Sequence, residues 1–166
     1  MNKVDMNAYK SLGRQIAENR TTSLDHYDIK LNWKEALTSE IRVRDFEPFT
    51  VDEPAVIGGQ DKGPNPIEYL LSGALGCFTV GVVLAASSKN VEIRSLEAEL
   101  ESDVDMSVFY DTVLGGEHGI AQSYIVLKVD SDASVEHIEE FAQHSLDYSP
   151  VLNSLRLPVK VIVEKK

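Results

Sequence analysis

The chain has 166 residues, a single cysteine and a formal net charge of −11. This length suits one domain with a sizeable core. The acidity excludes nucleic acid as a partner, because phosphate binding needs a basic surface, and it also disfavours an anionic membrane. One cysteine excludes an internal disulfide and a multi-cysteine zinc site. The first residues lack the apolar segment of a secretory signal, so we expect a cytoplasmic location.

The first third of the chain is predicted to contain one helix and three strands. Apolar residues at helical spacing indicate an amphipathic helix over residues 6–19. Alternation of apolar and polar residues predicts a strand over 24–33. Two further short strands are predicted over 40–46 and 49–54.

A loop rich in glycine and proline, residues 57–66, precedes the longest predicted helix. Asn65 suits the cap, Pro66 the first helical position and Glu68 the third, which together form a capping box. The helix is expected to run to residue 89 or 90.

The second half of the chain is predicted to add strands, a helix and a final strand. The apolar pattern of the strand over 91–103 changes parity between Ile93 and Leu96, which indicates a bulge. Strand runs separated by helices are typical of an α+β fold. The remaining elements are a loop over 105–119, a strand over 121–129, a helix capped by Ser134 that breaks at residues 148–151, a turn of helix over 151–155 and a strand over 158–166.

The charge-free run over residues 69–88 is long enough to cross a bilayer. It contains three glycines, Ser72 and Thr79, and the sequence has no second run of this kind. We therefore favour a helix buried on nearly all sides in a soluble core over a membrane span. A small domain rarely surrounds a helix completely, so a second subunit is expected to supply part of the cover.

Small residues form one line along this helix, four residues apart: Gly73, Cys77, Gly81 and Ala85. The line predicts a close approach, either by a crossing helix or by ordinary packing within the core. Cys77 lies three turns into the helix, where the helix dipole has little effect. A reactive thiolate there would need another positive charge, such as an arginine; otherwise Cys77 is a small buried hydrophobe.

The stretch DEPAVIGGQDKGPNPIEYLLSGALGCFTVGVVLAA, residues 52–86, resembles the OsmC/Ohr superfamily. The hallmark of that family is a Gly-x-Asn-Pro loop, a short spacer and a cysteine inside the central helix. HSLDYSPVLNSL, residues 144–155, resembles the segment in which the family usually carries Cys-Pro-Val. The resemblance implies one OsmC-like α+β domain over 1–166, with antiparallel or mixed sheets wrapped around the long helix. An N-terminal helical arm (1–20) would precede the core (21–166).

The resemblance also implies an intertwined homodimer with a site at the subunit interface. In active family members a thiolate, held ready by an arginine and a glutamate, attacks a hydroperoxide and becomes a sulfenic acid. A second cysteine then forms a disulfide with the first, and an external dithiol reduces it. Neither a cofactor nor a metal is implied.

This chain departs from the family pattern in two places. Ser149 stands where the second cysteine is expected, and a hydroxyl cannot resolve a sulfenic acid to a disulfide. Ile67 follows Asn-Pro directly, and the acid appears one residue later as Glu68, a shift shared by a less-characterised branch of the family. Arg42 and Arg44, expected on one face of a strand, are the candidates for the arginine, with Arg44 preferred.

The leading hypothesis is a thiol-dependent peroxidase that reduces organic hydroperoxides through a one-cysteine cycle on Cys77, with an external thiol as reductant. An apolar pocket around Phe78, Phe46 or Tyr148 would favour bulky peroxides. The first alternative is a non-catalytic or small-molecule-binding protein that has lost the two-cysteine cycle. A second alternative is a carrier of sulfur or acyl groups on Cys77.

Overall fold

The computed structural model describes residues 2–107, 109–110, 112, 119–155 and 159–165. Backbone contacts divide the chain into two units, Asn7–Ser72 and Met1–Met6 with Gly73–Lys166. The longest helix contributes its beginning to the first unit and the rest to the second. The division into a helical arm and a core remains a prediction.

The unit over Asn7–Ser72 is built around an antiparallel sheet with the strand order β1-β2-β3. The predicted N-terminal helix is confirmed, and the strand predicted over 24–33 begins later. The side chain of Asn19 accepts a hydrogen bond from the Thr21 backbone N–H and caps a short 3₁₀ helix, which occupies the chain before the strand. The elements are α1 (Met6–Glu18), the 3₁₀ helix (Arg20–Ser23), β1 (Ile29–Glu35), β2 (Thr38–Val43) and β3 (Phe49–Val51).

The second strand is shorter than its sequence pattern predicts. β2 ends at Val43, and the chain then turns. Arg44 adopts a left-handed backbone conformation with φ of 50°. The prediction that Arg44 continues the strand on the same face as Arg42 is therefore wrong, because a residue with positive φ breaks the alternation of the pleat.

The glycine-rich loop is organised by one buried carboxylate. Asp52 is fully buried, and its two oxygens accept hydrogen bonds from the backbone N–H groups of Glu53, Gln60 and Lys62 at 2.8, 3.2 and 3.2 Å. A Cβ at Gly63 would lie 2.6 Å from the Thr50 carbonyl oxygen, so this position requires glycine. The loop is thus folded back on the end of β3.

The long helix α2 spans Pro66–Ser88 and begins as predicted. The side chain of Asn65 accepts from the Glu68 backbone N–H at 2.8 Å, and the Glu68 carboxylate accepts from the Asn65 backbone N–H at 2.7 Å. This reciprocal pair confirms the capping box. In the same unit, Tyr69 stacks on Phe49 of β3 with 4.8 Å between ring centroids, which fixes the start of the helix on the sheet.

The second unit contains a mixed sheet with the strand order β4-β5-β6. β4 and β5 pair antiparallel, and β6 pairs parallel to β5 after the helical crossover. The register shift between Ile93 and Ser95 confirms the predicted bulge. The predicted loop over 105–119 lies largely outside the described residues. The elements are β4 (Ile93–Asp105), β5 (Gly119–Ser131), α3 (Val135–Tyr148), α4 (Pro150–Leu155) and β6 (Val159–Lys165).

The core of this unit lies where α2 and α3 meet the alternate residues of β5. Helix α2 contributes one buried stripe at four-residue spacing: Ala74, Phe78, Val82 and Ala86. Within the single chain α2 is not buried on all sides, since Val80 is 59% exposed on the other face. This agrees with the expectation that one small domain does not surround the helix, and cover by a second subunit remains a prediction. By length and composition, α2 also qualifies as a helix that could cross a membrane, and 28% of its apolar window is buried within the protein.

Substitution of Asp52 tests the role of the loop carboxylate. Burial raises the pKa of Asp52, but the backbone hydrogen bonds lower it by more, so the pKa lies below its ordinary value of 3.8. The carboxylate therefore stabilises the fold above that pH and loses this effect as the pH falls through its folded pKa. We expect Asp52→Asn to lower the thermal midpoint at pH 7 by several degrees, with a difference from the wild type that narrows below pH 3.8.

Asp61→Asn is the matched control, because Asp61 is exposed in the same loop and undergoes the same change of charge. Thermal unfolding followed by circular dichroism measures both variants. Equal midpoints for Asp52→Asn and wild type at pH 7 would contradict the assigned role.

Candidate functional site

The thiol of Cys77 is in direct contact with Ser149. The Ser149 hydroxyl donates a hydrogen bond to Cys77 Sγ over 3.1 Å, although 72 residues separate the two in sequence. Cys77 is partly exposed, whereas Ser149 is buried. The tertiary structure thus brings together the two positions that the family resemblance had linked.

Ser149 lies at the junction of two helices and caps the second of them. Ser149 follows the last residue of α3, and Pro150 begins α4. Its hydroxyl oxygen accepts from the Leu152 backbone N–H at 3.2 Å, as an N-cap residue does. The one proton of this hydroxyl is donated to the sulfur, while a lone pair of its oxygen accepts from Leu152.

Asn153 holds this corner of the chain in place. Its side-chain amide donates to the carbonyl oxygens of Ser149, Leu146 and Asp147 at 2.8, 3.2 and 3.2 Å. These bonds satisfy carbonyl groups that the end of α3 would leave without helical partners. Sequence reasoning missed Asn153, although its position four residues after Ser149 at a helix junction was an available signal.

A close crossing of α2 and α3 positions the pair. The Ser145 hydroxyl donates to the Phe78 carbonyl oxygen at 2.7 Å, and a Cβ on Gly81 would lie 2.8 Å from Ser145 Cβ. The small-residue line therefore admits a crossing helix at Gly81, as predicted. At Gly73 a Cβ would meet nothing within 4 Å in the part of the chain that the structure describes, so the line does not make a close contact along its full length there.

The charged candidates belong to the other unit. Glu68 lies at the start of α2, where its carboxylate completes the helix cap. Arg42 lies on β2 and is paired with Lys30 of β1, and Arg44 lies in the turn that follows; both are exposed. The roles predicted for Arg42, Arg44 and Glu68 toward the thiol remain predictions.

The aromatic residues predicted to line a pocket differ in burial. Phe78 is fully buried in the core and cannot line an open pocket. Phe46 and Tyr148 are 59% and 74% exposed. Tyr148 stacks on His144 of the same helix with 4.6 Å between ring centroids, one residue before the serine that contacts the thiol.

A partly exposed thiol that receives one directed hydrogen bond can act as a nucleophile toward a small electrophile. The Ser149 hydroxyl holds the sulfur in one orientation. Among the described residues, no group of three or more histidine, cysteine, aspartate or glutamate side chains could hold a metal ion.

Comparison with known proteins identifies the family. A family model for OsmC-like protein matches residues 59–164. The chain therefore belongs to the OsmC-like protein family, and the match includes both Cys77 and Ser149. No curated protein sequence matches the chain.

Solved structures confirm the OsmC-like α+β fold. An OsmC-like protein from Mycoplasma pneumoniae is 24% identical, with a TM-score of 0.71 over 85% of this chain and 97% of that chain. An OsmC-like protein of unknown function from Vibrio cholerae is 9% identical, with a TM-score of 0.73 over 85% and 100%. An organic hydroperoxide resistance protein from Elizabethkingia anophelis is 15% identical, with a TM-score of 0.68 over 86% and 98%.

The contact predicts that Ser149→Cys will form a disulfide with Cys77. The present oxygen–sulfur distance of 3.1 Å leaves a short movement to the bonding distance of about 2.05 Å. After mild oxidation we expect loss of both free thiols and a monomer mass lower by two hydrogens. Ser154→Cys is the control, because Ser154 is exposed on α4 and its hydroxyl bonds only the Pro150 carbonyl oxygen. If Ser149→Cys retained two free thiols after oxidation, the close contact between positions 149 and 77 would be refuted.

Proposed function

We propose that this protein is a thiol-dependent peroxidase that reduces organic hydroperoxides through a one-cysteine cycle on Cys77. The observation that carries the proposal is the directed hydrogen bond from Ser149 to the Cys77 sulfur. Family membership supports it, and solved relatives from Elizabethkingia anophelis and Bacillus subtilis are named organic hydroperoxide resistance proteins.

In the first step the Cys77 thiolate attacks the terminal oxygen of the hydroperoxide. A sulfur–oxygen bond forms, the oxygen–oxygen bond breaks, and the leaving alkoxide takes a proton to become an alcohol. Sulfur is oxidised by two electrons and remains as a sulfenic acid. The Ser149 hydroxyl orients the sulfur and donates to its negative charge before attack.

In the second step an external thiol replaces the missing cysteine. It attacks the sulfenic sulfur, water leaves, and a mixed disulfide forms on Cys77. A second external thiol then attacks the mixed disulfide. The two external sulfurs leave as a disulfide, and Cys77 is restored as a thiolate. Ser149 cannot take this role, because its oxygen forms no disulfide.

Single-turnover kinetics test the proposal. The reduced protein should consume cumene hydroperoxide faster than free cysteine does, and dimedone should trap the sulfenic acid. Cys77→Ser should abolish both. Ser149→Ala should slow the reaction by roughly tenfold, the size expected for loss of one hydrogen bond to a charged acceptor.

Wild-type consumption no faster than that of free cysteine would reject the peroxidase. That result would favour the alternative of a binding protein with the OsmC fold. A persulfide or thioester on Cys77 after gentle isolation would instead favour the carrier.

The working unit is proposed to be a homodimer in the cytoplasm, with the site at the subunit interface. Uncovered apolar side chains support this arrangement. Val80 of α2 is 59% exposed, and along β1 Ile29, Leu31 and Trp33 are 60%, 58% and 68% exposed. Burial of such side chains against a second copy would be favourable, at roughly 25 cal/mol per Å² of apolar surface.

A charge placed on α2 tests the dimer. We expect Val80→Glu to shift the protein toward monomer, because an unpaired carboxylate resists burial in an apolar interface. Sedimentation velocity measures the distribution, and Val56→Glu is the control, since Val56 is 90% exposed in a short 3₁₀ helix before the glycine-rich loop. A wild-type protein that sediments as a monomer at high concentration would rule out the proposed assembly.

A further inference from the structure

We propose that Lys30, Arg42 and Arg44 form a binding site for a phosphate group carried by a small molecule. The site lies wholly within the unit over Asn7–Ser72. The three cations line one cavity of about 320 Å³, together with His26, Asp28 and Asp45.

The first supporting observation is a pair of like charges. Lys30 and Arg42 lie directly opposite each other on β1 and β2. Like charges at directly opposed positions destabilise an antiparallel pair, because their side chains share one face at short range. A bound anion would reverse the sign of this interaction, since both cations would then face a common negative group.

The second observation concerns the partners of the arginines. In the part of the chain that the structure describes, neither Arg42 nor Arg44 forms an ion pair. Lys30 approaches Asp28 only to 4.0 Å, with both side chains largely exposed. Both guanidinium groups are therefore available to an anion at the cavity.

The third observation is the fixed position of Arg44. Its backbone is left-handed, with φ of 50°, a conformation that residues other than glycine rarely adopt. Its guanidinium lies 4.6 Å from the centre of the Phe46 ring. This stacking holds the planar donor group at the rim of the cavity, which reduces the entropy lost when it binds an anion.

The sheet separates this cavity from the start of α2. Phe49, which stacks on Tyr69 of α2, is paired with Ile41 of β2. Because neighbouring residues of a strand face opposite sides, Arg42 extends from the other face. Within this unit the basic cavity and the first turns of α2 therefore occupy opposite sides of the same sheet.

Charge and size indicate the ligand class. Three cations against two carboxylates leave the lining with a positive excess, and arginine binds phosphate and carboxylate oxygens in a two-pronged geometry. A doubly charged phosphate uses three donors better than a singly charged carboxylate does. The volume is at the lower end of ligand pockets, roughly 300–1,000 Å³, which admits a phosphate with a small organic group.

The test uses inorganic phosphate as the probe, with acetate and chloride at equal ionic strength as comparisons. Phosphate titration followed by amide nuclear magnetic resonance should shift signals of β1, β2 and the turn at Arg44. Arg42→Gln and Lys30→Gln should each weaken phosphate binding by roughly tenfold. Lys89→Gln is the control, because Lys89 is an exposed cation outside the cavity with the same change of charge.

Thermal unfolding supplies a second readout that does not depend on peroxidase activity. Without phosphate, Arg42→Gln should match or exceed the wild type in thermal midpoint, because it removes the like-charge pair. With phosphate, only the wild type and Lys89→Gln should gain stability. Phosphate shifts no larger than those of chloride, or a stability gain that Arg42→Gln retains, would overturn the proposal.

Discussion

The close crossing of α2 and α3 is the constraint on which the thiol site depends. Gly81 lets the Ser145 side chain approach the backbone of α2, and the Ser145 hydroxyl bonds the Phe78 carbonyl oxygen there. Ser149 follows one helical turn after Ser145, so the same crossing delivers its hydroxyl to Cys77. Any larger residue at Gly81 would separate the helices and lengthen the contact between hydroxyl and sulfur.

Ser149 stands at the position where the family resemblance implied a second cysteine, and a hydroxyl there has different chemistry from a thiol. A hydroxyl at this position orients the sulfur, yet it cannot remove an oxidised sulfur as a disulfide. In the proposed peroxidase cycle, the second half of the reaction would therefore depend on a thiol from outside. Asn153 and the Leu152 N–H show that the serine is built into its surroundings, with its oxygen and carbonyl both satisfied.

Sequence patterns predicted most helices and strands, because each depends on local spacing. The cap formed by Asn65 and Glu68 and the bulge near Ile93 were readable from a few neighbouring residues. The prediction failed at Arg44, since alternation of residue types cannot reveal a left-handed turn in a residue other than glycine. The expectation that one domain does not surround α2 agrees with the exposure of Val80, which the described residues of the single chain leave largely uncovered.

The sequence by itself determined the element order, the glycine-rich loop before α2 and the family, because these depend on residue types at short range along the chain. Only the tertiary structure decided that Ser149 donates to Cys77, that Asp52 holds the loop and that Lys30 opposes Arg42. Each of these contacts joins residues distant in sequence or on different strands. Their distances are set by strand register and helix crossing, which a linear pattern does not encode.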